Sequence, residues 1–341
     1  MMNKKNSISL VLVFLLGFFV IWNELRQVDL NEFLLEVTHV NWFWLIVAIL
    51  FMLIHWGIEG KITQLFLRKT NPEYSFKSAY RIPLIQHLFN AITPFSTGGQ
   101  PAQIVALGKS GVDYGVAASV SLMKFVVYQV WVVLNFVICL VFGFHWVSEN
   151  FQKLSYLIIL GFIVHFIVVF CLLLVMYWHS LARKIVLGTF NLLKKGKLGK
   201  KLVKYEVTVM EKLENFYEQS KVMKASPRLM LQTSLMTILQ LLVYYIVPYF
   251  ILLALHIEGV NPFKVIVFHA FIIMIISLFP IPGGTGGAEY SFSLLFGTFV
   301  LAQGKLVLAI FLWRIVTYYI GIILGLVALT INPLQSKNKI I

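Results

Sequence analysis

Long apolar runs alternate with short charged segments along the whole chain. The runs near residues 8–24, 42–58, 114–143, 154–178, 229–255 and 304–330 each approach the roughly 20 residues that an α-helix needs to cross about 30 Å of hydrocarbon. Length and hydropathy therefore predict six membrane-spanning helices. Two further apolar stretches, 82–108 and 264–301, are interrupted in the middle by proline and glycine, from Pro94 to Pro101 and from Pro280 to Gly287. They are predicted as re-entrant hairpins. The expected fold is all-α: a polytopic integral membrane protein of about six full spans and two re-entrant hairpins, forming a single membrane domain over residues 1–341.

Composition supports a lipid solvent. Hydrophobic residues make up 59% of the chain and charged residues 12%, against roughly 45–50% and 25% in soluble domains. The start, Lys4 and Lys5 followed by Ile8 to Trp22, has the charge pattern of a secretory signal. It offers no small-residue cleavage site, so residues 1–30 are expected to be an uncleaved signal anchor. Cys139 and Cys171 sit inside apolar runs and read as small hydrophobes. No metal or cofactor is expected.

Basic residues concentrate in alternate loops. Lys61, Arg68, Lys69, Lys77 and Arg81 follow the second run, Arg183 to Lys204 carry eight more, and Lys337 and Lys339 lie in the tail. The opposite loops hold Arg26, Lys153, Lys264 and Lys305 beside Asp29, Glu32, Glu36, Glu149 and Glu258. The positive-inside rule then places both termini in the cytoplasm, with the hairpin around Pro94 entering from the cytoplasm and that around Pro282 from outside. Residues 183–228 form the main polar segment, with Leu202, Val209, Leu213 and Phe216 near helical spacing. The segment is either a basic amphipathic helix pair drawn to the anionic inner leaflet, at about 1 kcal/mol per basic residue, or a solvated loop that fixes topology.

The two interrupted stretches share a pattern. Pro94-Phe95-Ser96-Thr97-Gly98-Gly99 and Pro282-Gly283-Gly284-Thr285-Gly286-Gly287 both read P-x-x-T-G-G, and each matching position is displaced by 188 residues, 282 − 94 and 285 − 97. With opposite entry sides, residues 42–178 and 229–330 become the halves of an inverted repeat, an arrangement found in many secondary transporters. Irregular backbone at membrane depth is tolerated where it is buried in protein or lines a water-filled cavity. Half-helix N-termini after Gly99 and Gly287 would there present unpaired N–H groups to a phosphate or other anion. The competing reading is that small residues let helices pack closely.

Ionisable residues within apolar runs cost about 2.5–3.5 kcal/mol at a helix centre and usually face a cavity or a partner. Glu289, Arg314 and Lys124 stand out in this way. Glu289 and Arg314 form either a structural ion pair or a gate for which a lipid headgroup competes. Lys124, with Tyr128 and Gln129, is a candidate polar wall from the first half. Gln100 and Gln103 are candidate headgroup contacts or caps. The candidate binding set is thus Thr97, Gly98, Gly99, Gln100, Gln103, Lys124, Thr285, Gly286, Gly287, Glu289 and Arg314. His55, His165 and His269 show no metal spacing and read as satisfied interior histidines.

The segments Asn90 to Pro101 and Pro280 to Glu289, with Trp313-Arg314, resemble the lysylphosphatidylglycerol synthase transmembrane-region family. This is the flippase-like membrane portion of the multiple peptide resistance factor and its stand-alone bacterial relatives. The resemblance implies two re-entrant hairpins, a lipid-accessible cavity, movement of anionic or aminoacylated phospholipid between leaflets of a bacterial cytoplasmic membrane, and resistance to cationic antimicrobial peptides. It also implies that Glu289 and Arg314 matter. Full-length members add a cytosolic domain that transfers lysine from tRNA. This chain contains no soluble α/β domain, H-E-x-x-H or G-x-S-x-G element, so catalysis is not expected of it. Three functions stay open: a lipid flippase, a phosphatidylglycerol lysyltransferase, and a membrane partner of a separate lipid-modifying enzyme. The expected ligands are phospholipid and membrane, not nucleic acid, with a homo-oligomer among the arrangements allowed.

Overall fold

In the computed structural model, residues 30–331 are described, apart from 69 and 195–198. The predicted first span, the signal anchor, and Lys337 and Lys339 lie outside the described residues. A short helix, α1 (Leu30–Thr38), leads into α2 (Trp42–Leu67). There follow α3 (Phe76–Ala91), α4 (Gly99–Lys109), α5 (Tyr114–Asn150) and α6 (Gln152–Tyr177). The polar middle of the chain forms α7 (His179–Lys194) and α8 (Gly199–Lys224), two helices that pack on each other. The second half comprises α9 (Pro227–Tyr245), α10 (Val247–Ala254), α11 (Pro262–Ile276), α12 (Gly287–Phe296), α13 (Gln303–Arg314) and α14 (Ile320–Thr330).

Five helical stretches among the described residues are long and apolar enough to cross a bilayer: α2, α5, α6, α9 with α10, and α13 with α14. They fall on the five predicted runs that lie within the described residues. The protein is therefore an all-helical membrane protein. The caps explain where several helices begin. Asn41, Ser75, Asp113 and Asn261 each accept a hydrogen bond from a first-turn amide, of Phe43, Ser78, Gly115 and Phe263 respectively. Each satisfies a donor that the helix itself leaves unpaired.

α2 departs from its predicted end. It continues nine residues beyond 58, to Leu67. Its polar last turns are tied down by Lys61 donating to Gln64 Oε1 (2.7 Å) and by Gln64 donating to the Tyr74 carbonyl (2.8 Å). The extension moves Glu59 from an expected loop into the helix interior.

Burial separates centre from rim. In the apolar window of α13 and α14, 72% of residues are buried, against 17% in α6. The last span is thus the hub, and α6 presents most of its surface outward. α14 packs along α3, where Arg81 Nε donates to the Ala328 carbonyl (2.7 Å). A Cβ on Gly325 would lie 2.6 Å from the Leu84 carbonyl oxygen. Where α2 meets α3, a Cβ on Gly60 would lie 2.8 Å from the Tyr80 Cα. Small residues at these crossings let backbones approach closely.

Each interrupted stretch forms a helix, a break and a second helix: α3 with α4 around a 3₁₀ turn at Pro94–Ser96, and α11 with α12 around a 3₁₀ turn at Pro282–Gly284. The members of each pair pack together, and the two breaks touch each other.

Candidate functional site

The two P-x-x-T-G-G segments share more than letters. Phe95 and Ser96 have φ of 51° and 53°, and Gly283 and Gly284, their counterparts at the 188-residue offset, have φ of 66° and 61°. Left-handed backbone favours glycine and is strained for Phe and Ser. The threonine repeats as well. Thr97 Oγ1 donates to the Pro94 carbonyl and Thr285 Oγ1 to the Pro282 carbonyl, each at 3.0 Å. The shared motif therefore builds a left-handed turn closed by its own threonine.

That geometry corrects the expectation of unpaired amides at three positions. The Gly98 amide donates to Thr93 Oγ1 (2.9 Å), that of Gly99 to Asn90 Oδ1 (3.0 Å) and that of Gly286 to Glu289 Oε2 (2.7 Å). Side chains close at hand cap these donors, so the two breaks do not expose them as an anion cradle. Gly287 is needed for space: the Phe279 ring covers its Cα closely enough that a Cβ would meet it.

Several of the predicted polar residues instead line a cavity of about 300 Å³ where the hairpins, α2, α5, α9 and the last span converge. Of the predicted set, Gln100, Gln103, Lys124 and Arg314 line it; Thr97, Gly98, Gly99, Thr285, Gly286, Gly287 and Glu289 do not. Thr97 is exposed and Thr285 is buried.

Arg314 is the last residue of α13, where the helix widens into one π-helical turn, Ile315–Tyr319. Such turns are frequent at functional sites. Its Nε donates to Glu289 Oε1 at 2.6 Å and its Nη1 to the Gly283 carbonyl at 3.1 Å. With Oε2 accepting from Gly286, both oxygens of Glu289 are engaged. The guanidinium lies 5.2 Å from the Trp313 ring and 5.1 Å from that of Tyr318, within cation–π range. Its remaining nitrogen, Nη2, is buried and has no hydrogen-bond partner among the described residues. Gln103, 1% exposed, leaves both amide atoms unpartnered in the same way. Buried polar groups are normally paired, so two residues with orphaned donors lining one cavity make it the candidate site for a polar ligand.

The cavity also carries a polar cluster in which the sequence singled out only Lys124 as a binding candidate. Lys124 Nζ donates to Glu59 Oε1 and to Gln86 Oε1, both at 2.8 Å. Gln240 Nε2 donates to Glu59 Oε2 (3.4 Å), and His55 Nδ1 donates to the Gln240 carbonyl (3.1 Å). His87 Nε2 donates to the Tyr318 carbonyl (3.3 Å). Glu59, His87 and Tyr318 did not stand out in the sequence. Glu59 fell just past the predicted end of its helix, His87 in a segment read for its break, and Tyr318 among many aromatics of an apolar run. A signal for Glu59 was present: no helix breaker separates it from the apolar run before it.

Tyr318 ties the hairpins together. Its hydroxyl donates to the Ala91 carbonyl of the first hairpin (2.9 Å), while its ring covers Gly283 of the second so closely that no Cβ fits there. The other interior histidines are partnered differently. His269 donates from Nδ1 to the Tyr245 carbonyl (3.2 Å) and accepts from Trp313 Nε1 (3.2 Å), which fixes a neutral tautomer. His165 packs edge-on against Phe136, with neither ring nitrogen hydrogen-bonded among the described residues.

Residues 6–325 match the family model described as the lysylphosphatidylglycerol synthase TM region. The chain is also similar to a UPF0104 membrane protein of Archaeoglobus fulgidus. The two are 28% identical over 312 residues, which make up 88% of this chain and 90% of that relative.

Proposed function

The chain belongs to the lysylphosphatidylglycerol synthase TM-region family, and we propose that it moves anionic or aminoacylated phospholipid between membrane leaflets by passing the headgroup through the cavity at the hairpin tips. The observation that carries this reading is a cavity lined by both Arg314 and Gln103, whose Nη2 and side-chain amide have no hydrogen-bond partner among the described residues. A guanidinium already fixed by Glu289 and Gly283 is preorganised, and its free edge suits a phosphate oxygen through a charge-assisted hydrogen bond. Glu289 acts here as the positioning residue. It orients Arg314 and does not itself line the cavity.

In this reading the two hairpins are re-entrant and enter from opposite faces, that of Pro94 from the cytoplasm and that of Pro282 from outside. The halves 42–178 and 229–330 are an inverted repeat, both termini are cytoplasmic, and the membrane is the bacterial cytoplasmic membrane. Moving aminoacylated lipid outward lowers the negative charge of the outer surface, which accounts for a link to cationic peptide resistance. Support comes from the 188-residue offset shared by letters, backbone conformation and the threonine hydrogen bond.

Leaflet-resolved labelling of fluorescent phosphatidylglycerol in proteoliposomes tests the proposal. The wild-type protein is expected to accelerate exchange between leaflets. Arg314→Ala is expected to slow it by about 10-fold or more, the consequence of losing one charged hydrogen bond worth about 1.5–3 kcal/mol. Equal rates for wild type, Arg314→Ala and protein-free liposomes would refute it.

A further inference from the structure

The charges around the cavity sum to zero. Arg314 is balanced by Glu289 and Lys124 by Glu59, each pair in direct contact at 2.6 and 2.8 Å. The two pairs are not equivalent. Both carboxylates have both oxygens hydrogen-bonded, but Glu289 stands outside the cavity, whereas Glu59 lines it and is the one carboxylate among the described residues that does. On the proposed reading, an anionic headgroup such as that of phosphatidylglycerol, which carries no ammonium of its own, brings one negative charge into this balanced site. An uncompensated charge in such surroundings is strongly disfavoured, and a group that can change protonation does so. The phosphate also competes with Glu59 for the Lys124 ammonium, so the carboxylate loses its partner as the site gains negative charge.

We infer that Glu59 is a proton-binding site coupled to lipid binding: the headgroup enters together with one proton, which converts the Glu59 carboxylate to the carboxylic acid and leaves the site neutral. The proton comes from water on the loading side and returns to water when the lipid departs and Lys124 recovers its carboxylate partner. No bond of the lipid is made or broken. The inference rests on the proposed lipid site and adds to it a second, ionic substrate.

Other titratable groups face the same cavity, and the variants below distinguish them from Glu59. His55, one helical turn before it on α2, and His87 on α3 each donate a ring N–H to a main-chain carbonyl. Tyr128 of α5 and Tyr244 of α9 line the same cavity, with Arg314 and Tyr318 on the last span. The tyrosines and Arg314 hold their protons near neutral pH. By linkage, a site that takes up a proton on binding lipid must also bind lipid more tightly when protons are plentiful.

The test measures protons taken up per lipid bound. Full-length protein in weakly buffered detergent near pH 7 is titrated with dihexanoyl phosphatidylglycerol while a pH indicator and calorimetry follow protons and binding together. The wild type is expected to take up about one proton per lipid, and Glu59→Gln close to none. Because Glu59→Gln leaves Lys124 buried without its counter-charge, the double variant Glu59→Gln/Lys124→Met serves as a second case that removes both charges, and it too is expected to take up close to none. Lipid binding to the wild type with no proton uptake would overturn the coupling and leave the lipid site standing. Uptake that persists undiminished in both variants would assign the proton elsewhere and overturn the role of Glu59. Failure of the wild type to bind the lipid at all would overturn both.

Discussion

Arg314 and Glu289 are the residues on which sequence and structure agree most closely. A lone arginine and a lone glutamate within apolar runs need partners, and they are found 2.6 Å apart with side chains 5% exposed. Removing one member of a buried pair leaves the other uncompensated and costs about 3–5 kcal/mol. Glu289→Gln is therefore expected to destabilise the detergent-solubilised protein by that order in thermal or denaturant unfolding. Arg314→Lys is expected to resemble Arg314→Ala in transport, because a compact ammonium on a flexible stem lacks the planar fork whose separate nitrogens reach Glu289, the Gly283 carbonyl and a further acceptor in different directions. A lysine variant with wild-type transport would show that charge alone suffices. The threonines of the repeat illustrate the opposite outcome. Their letters suggested ligand contact, yet each hydroxyl closes its own turn, and no spacing rule distinguishes a hydroxyl used locally from one held out to a ligand.

The spans were legible as elements because length and hydropathy suffice for them, and the helix breaks because proline and glycine in the middle of an apolar run have few other uses. The ends were less so. α2 persists past Glu59 with a local Lys61–Gln64 bond and a contact of Gln64 to the Tyr74 carbonyl beyond the helix, and the polar cluster built on Glu59 was missed with it. The π turn after Arg314 has no sequence signature, although it sets Tyr318 between the hairpins. At this scale the close crossings make a test. Gly60→Ala would press a methyl group 2.8 Å from the Tyr80 Cα, where backbone and not a flexible side chain must give way. Overpacking of this kind typically costs about 1–3 kcal/mol. Gly188→Ala in α7, whose Cβ meets nothing within 4 Å, is expected to be neutral or slightly stabilising, since alanine is the better helix former. Equal effects of the two substitutions on unfolding would contradict the packing described for α2 and α3.

For the whole molecule, the distribution of charge predicts orientation. On the proposed topology, the α7–α8 pair and the turn between α10 and α11 are separated by one crossing, α9 with α10, and so fall on opposite sides. In a protein freed of Cys139 and Cys171, Lys184→Cys is expected to react with an impermeant thiol reagent only in inside-out vesicles, and Glu258→Cys only from the outside of intact cells. Both positions are exposed. Reaction of both from one side would reverse the topology on which opposed re-entrant hairpins depend.

The account rests on a polar lipid site beside Arg314, and the lipid that the protein itself retains tests it most directly. Native mass spectrometry of the wild type, released gently from detergent, is expected to find an anionic or aminoacylated phospholipid bound, and Arg314→Ala to have lost it. An unchanged complement of bound lipid in a folded Arg314→Ala protein would contradict the assignment of the cavity as the headgroup site.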